Sequence, residues 1–89
     1  MISWDEPKRL SNIEKHGIDL SRLEKVFDYP MITHEDERES YGEVRNESLG
    51  WWEDSVVVLI WTERNDVAHL ISCRYADRSK TKTYFKRFL

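Results

Sequence analysis

The chain has 89 residues, 39% hydrophobic and 35% charged, with four Trp, four Tyr and three Phe. This is too apolar for a disordered chain, fits one domain over 1–89, and excludes a doubly wound dinucleotide fold or a barrel enzyme. The net charge of −3 divides into −1 over residues 1–30, −7 over 31–66 and +5 over 67–89, so a polyanion meets repulsion in the middle and attraction at the end.

Ile2 to Trp4 reads as a short strand. Asp5 is a plausible helix N-cap and Pro7 fits a first turn. A short helix then runs to His16, where Gly17 supplies a stop. On a helical wheel Lys8, Asn12, Lys15 and His16 share one side, and Leu10 and Ile13 lie mostly on the other. A second helix is expected from Asp19 or Ser21, with Ser21 and Glu24 at capping-box spacing. Leu20, Leu23, Val26 and Phe27 form its apolar stripe, read as core, and Tyr29-Pro30 ends it.

Met31 to Thr33 opens a strand, and His34 to Glu39 reads as an exposed acidic loop. Its carboxylates follow no helical or strand spacing, so no metal site is assigned. Val44 to Leu49 is a weak strand before Gly50-Trp51-Trp52. Ser55 to Thr62 is the clearest strand, with Val57, Leu59 and Trp61 on one face and Val56, Val58 and Ile60 on the other. Glu63 to Asp66 has turn chemistry, and Val67 to Tyr75 returns antiparallel. Strict alternation puts Val67, His69, Ile71, Cys73 and Tyr75 on one face, and Ala68, Leu70, Ser72 and Arg74 on the other. From about Ser79 to Leu89 an amphipathic helix carries Thr81, Tyr84, Phe85 and Phe88 as its stripe, with Lys82, Lys86 and Arg87 pointing elsewhere. The expected fold is α+β: a small, mostly antiparallel sheet with two N-terminal helices and a C-terminal helix.

A lone Cys73 excludes an internal disulfide and a thiolate zinc cluster. The longest apolar run, Val56 to Trp61, is six residues, far short of a membrane span. The start, Met1-Ile2-Ser3-Trp4-Asp5-Glu6, lacks a signal peptide's basic and apolar regions, so a cytoplasmic location is expected.

The sequence has no Gly-rich phosphate loop, Ser elbow or metalloprotease signature. What remains for chemistry is three His, the arginines of the sheet, and Lys15. These suit metal-free RNA cleavage. A base takes the ribose 2′-OH proton, cations stabilise the phosphate, and an acid serves the leaving 5′-oxygen. His carries protons near neutral pH, and the Arg fork grips two phosphate oxygens.

Trp4-Asp5-Glu6 with Lys8 and Asn12, then Lys15-His16-Gly17-Ile18 and Val26-Phe27-Asp28, resembles the opening of the BrnT family of type II toxins. The resemblance continues through Gly42-Glu43-Val44-Arg45, Gly50, Thr62-Glu63-Arg64, Ile71-Ser72-Cys73-Arg74-Tyr75-Ala76 and Tyr84. It implies a RelE-like ribonuclease toxin that inhibits translation and arrests bacterial growth. It also implies a BrnA-type antitoxin with a ribbon-helix-helix part, through which operator DNA is reached. By that resemblance His16, Arg45, Arg64, Arg74 and Tyr84 are catalytic candidates, and His69 joins them on its own chemistry, as a proton-transfer group where the family commonly has arginine. Lys15, Lys82 and Lys86 are substrate contacts, and no cofactor or metal is implied. The chain departs from the family pattern at Ser55, His69, Cys73 and Lys80, where a basic residue, arginine, alanine and glutamate are usual.

Each candidate has a structural alternative. His16 can cap helix carbonyls, Arg45 and Arg64 can pair with Glu43, Glu47 or Glu63, and Tyr84 can be core. Arg74 can sit in an ion pair. Trp51 and Trp52 suit base stacking or a patch covered by the antitoxin. The competing function is a non-catalytic module that binds the antitoxin and tunes operator binding.

Overall fold

The computed structural model describes residues 1–36 and 42–89. They form β1 (Ile2–Trp4), α1 (Glu6–His16), β2 (Ile32–Asp36), β3 (Arg45–Trp52), β4 (Ser55–Arg64), β5 (Val67–Tyr75) and α2 (Arg78–Phe88). The strands make one sheet in the order β1-β5-β4-β3-β2. Pairing is antiparallel from β2 to β5, whereas β1 runs parallel to β5 and makes the sheet mixed. No helix among the described residues is long and apolar enough to cross a membrane.

The expected second N-terminal helix is instead two short 3₁₀ stretches, Leu20–Arg22 and Glu24–Asp28. The Ser21–Glu24 capping box is replaced by Asp19, whose carboxylate accepts from the Ser21 backbone N–H at 2.9 Å and from Ser21 Oγ at 2.6 Å. Those bonds hold its carboxyl below the usual range. Leu20, Leu23 and Val26 are fully buried and recur every three residues, which is the 3₁₀ period.

β2 also corrects the sequence reading, because His34, Glu35 and Asp36 continue the strand rather than starting a loop. The remainder of that expected loop, 37–39, lies outside the described residues. β3 extends through Gly50, Trp51 and Trp52. The two tryptophans therefore point to opposite faces.

β4 is covered on both sides. Val57 and Leu59 pack under Ile18, Leu20, Leu23 and Val26, and Phe27 meets Trp61 edge-on at 5.3 Å. Val56 and Val58 pack with Leu49 under α2, through Tyr84, Phe85 and Phe88. These are the two faces expected from the sequence, and the apolar stripe of α2 is the one expected.

β5 departs from strict alternation. Ile60 pairs with Ser72 and Trp61 with Leu70, leaving Ile71 as a bulge. Leu70 and Cys73, three apart, consequently both enter the core under the 3₁₀ segment. His69, Ser72 and Arg74 all turn to the α2 side.

α1 docks through a polar residue. Asn12 is 4% exposed, whereas Leu10 and Ile13 are 55% and 38% exposed. β1 ends at Trp4, so the edge of β5 beyond Leu70 has no strand partner among the described residues. Asn12 supplies one. Its Nδ2 donates to the Cys73 carbonyl at 2.9 Å and its Oδ1 accepts from the Cys73 N–H at 3.0 Å. Nδ2 also donates to the Ile18 carbonyl at 2.8 Å, just past the left-handed Gly17 that stops α1.

Asn12→Ala is expected to lower the unfolding free energy by roughly 2–4 kcal/mol, because it orphans buried backbone groups. Leu10→Ser and Ile13→Ser are expected to stay within about 0.5 kcal/mol of the parent. Urea unfolding checks both, and a costly Leu10→Ser beside a neutral Asn12→Ala would reverse the account of how α1 docks. Burial pushes the Cys73 thiol up to about 12, against a smaller opposing pull from Arg74. The native protein should therefore resist iodoacetamide at pH 8 and react once unfolded, as mass spectrometry would show.

Candidate active site on the sheet face beside α2

The register fixes which side chains share the α2-side face. Val58 lies between Leu49 and Arg74, Ile60 between Glu47 and Ser72, and Thr62 opposite His69. On β2, Ile32 faces Leu49, His34 faces Glu47 and Asp36 faces Arg45. α2 covers the Val56–Val58 end. A strip running Arg74, Ser72, Ile60, Glu47, His34 remains exposed or half-buried, with half-buried Arg45 beside it.

The bulge makes this grouping. Without the extra residue at Ile71, His69 and Arg74 would face opposite ways. Arg74 is exposed, and among the described residues it has no hydrogen bond or ion pair. His34 is 68% exposed at its side chain, with its Nε2 3.9 Å from Glu47 Oε2. The sequence counts His34 among its three histidines but assigns it no site role, because the acidic run around it reads as a loop, and it offers Glu47 only as an ion-pair partner for Arg45 or Arg64. The signal that marks them is the spacing of Ile32, His34 and Asp36, two apart on one strand face.

Other candidates on this face are engaged internally. His69 is 5% exposed. Its Nδ1 shares a 2.8 Å hydrogen bond with Ser3 Oγ, while Nε2 is buried without a hydrogen bond, 3.6 Å from Asp5 Oδ2. Arg64 grips Glu43 with two bonds, 2.9 and 2.8 Å long, which lower the Glu43 carboxyl below its usual range. Thr62 lies buried in the same region and donates to the Val44 carbonyl at 2.7 Å. Tyr84 is buried and donates to the Pro30 carbonyl at 2.9 Å, and burial pushes its phenol upward. Lys82 and Lys86 are exposed on α2.

His16 and Lys15 lie elsewhere. With Lys8 they line a groove between α1 and the edge of β5. Trp52 is also removed from any stacking role, being 7% exposed with its Nε1 donating to the Arg22 carbonyl at 3.2 Å. Trp51 stays half-buried against Phe85, with ring centroids 5.8 Å apart.

This face offers a guanidinium free for an anion on β5 and, three strands across on β2, a histidine beside a carboxylate, so anion binding and proton transfer sit at opposite ends of one strip about 14 Å wide. The chain matches the family model described as "Ribonuclease toxin, BrnT, of type II toxin-antitoxin system" over residues 4–80. No relative among the curated proteins matches it. The matched span runs from the end of β1 into the first turn of α2 and so takes in the whole sheet face apart from Ser3. A match over that much of an 89-residue chain places it in the BrnT family of ribonuclease toxins of type II toxin–antitoxin systems.

Proposed function

We propose that this chain cuts RNA, without a metal ion, on the strip of sheet face beside α2. Arg74 carries the reading, because it is an exposed cation with no ion pair among the described residues, on the face it shares with Arg45 and His34. Arg45, on the strand next to His34, stabilises the charge that develops on the scissile phosphate, and Arg74, three strands from His34, holds a neighbouring phosphate of the same RNA strand. His34, steadied by Glu47, takes the ribose 2′-OH proton. The 2′-oxygen bonds to phosphorus, the P–O5′ bond breaks, and the leaving oxygen takes a proton from solvent. The products are a 2′,3′-cyclic phosphate and a 5′-hydroxyl. His69, Arg64 and Tyr84 act through the shape of the face rather than on substrate. The fold would be RelE-like, and the cleavage would stop translation and growth.

Membership of a type II family implies an antitoxin partner. We take it to be BrnA-type, with a ribbon-helix-helix part that carries the complex to operator DNA in the cytoplasm. The competing reading, an antitoxin-binding module without catalysis, is favoured by one observation. The Arg64–Glu43 pair and the burial of His69 withdraw two candidate groups from any substrate.

Inducing the wild type in bacteria without antitoxin should arrest growth and degrade total RNA. Arg74→Ala and His34→Gln should express equally and do neither. With purified protein in EDTA, Arg74→Ala should lower kcat/KM roughly tenfold. Normal growth and intact RNA with folded wild type would leave the module as the account.

A further inference from the structure

The groove between α1 and β5 has a volume of about 220 Å³. Lys8, Ser11, Lys15 and His16 line it from the helix, and Ile71 and Ser72 line it from the strand. Asn12 also lines it, where it clasps Cys73. Among the described residues, no carboxylate lines the groove. Lys8, Lys15 and His16 form no hydrogen bond or ion pair with any described residue. This contrasts with the arginines nearby, since Arg9 pairs with Glu6 and Asp19, and Arg22 with Glu53.

The helix dipole does not explain this set. It accounts for Lys15 and His16 in the last turn of α1, but it disfavours a cation in the first turn, where Lys8 sits. The chain as a whole is acidic, at −3, yet cations gather here from positions seven and eight residues apart, two turns along one face of α1. Ser72 belongs both to this groove and to the α2-side face. Arg74 follows two residues later, about 7 Å along the strand. The groove and the strip therefore meet at the β5 edge, in the stretch that the short β1 leaves uncovered.

We propose that this groove is a phosphate-binding subsite for single-stranded RNA, in which Lys8, Lys15 and His16 hold the backbone as it passes over Ser72 to Arg74. The subsite rests on the ribonuclease reading above. It adds a contact on the far side of β5 from the proposed chemistry, so it governs substrate affinity rather than the bond-breaking step.

The test uses a fluorescent 2′-O-methyl RNA oligonucleotide, whose blocked 2′-oxygen prevents cleavage. Anisotropy over a series of KCl concentrations compares wild type, Lys15→Arg and the double variant Lys8→Gln/Lys15→Gln. The double variant should bind roughly tenfold more weakly at low salt, and its salt slope should fall by about 1.4, or ~0.7 for each charge removed. Lys15→Arg should keep wild-type affinity. On cleavable RNA the double variant should show a raised KM at constant kcat. Wild-type affinity and slope in the double variant, with the wild type still cleaving, would overturn the subsite alone. A double variant that keeps RNA binding but loses antitoxin would overturn it in favour of an acidic protein segment. Failure of the wild type to bind or cleave RNA would overturn the subsite together with the ribonuclease reading.

Discussion

A single extra residue in β5 organises both sides of this sheet. β4 supplies a regular ladder, apolar on both faces, and cannot change its alternation without exposing valines. β5 must meet it with Leu70 and Cys73 both inward, an odd spacing that only a bulge permits. Ile71 absorbs the mismatch. Core packing thus dictates the polar face, since His69, Ser72 and Arg74 turn to the α2 side together because the other side must be filled.

The bulge also lies in the half of the β5 edge that β1 does not reach. An uncovered edge exposes backbone donors and acceptors and invites pairing with other chains. The amide of Asn12 answers both groups of Cys73, much as a neighbouring strand would. This lets α1 dock with its polar side inward and leaves Leu10 and Ile13 at the surface. Docking in this orientation places Lys8, Lys15 and His16 along the edge. A polar clamp chosen for backbone satisfaction therefore sets the position of a cationic groove.

The sequence announced the strands well, because the unbroken β-branched and aromatic run over Ser55 to Thr62 and the apolar positions over Val67 to Tyr75, split by turn residues, leave little choice. Arg45 and Arg74 stand out in the sequence as sheet cations, and the register sets both on the α2-side face. The second N-terminal helix misled because Leu20, Leu23, Val26 and Phe27 satisfy a helical stripe almost as well as a 3₁₀ one. The three-residue spacing of the first three was the distinguishing mark. The faces of β5 were illegible for a different reason. A bulge often shows itself by glycine, but here the extra residue is isoleucine, which looks like any other strand position. The parallel contact of β1 joins residues 66 apart in the chain, beyond any local pattern. His34 was hidden by the acidic residues around it.

The account stands or falls on the register of β4 against β5, which cross-strand NOEs in isotopically labelled protein report directly. It predicts contacts that pair Ile60 with Ser72 and Trp61 with Leu70, with Ile71 left unpaired. An unbroken ladder, with Trp61 opposite Ile71 and Glu63 opposite His69, would contradict it. In that register His69 and Arg74 face opposite sides of the sheet, and the shared face does not exist.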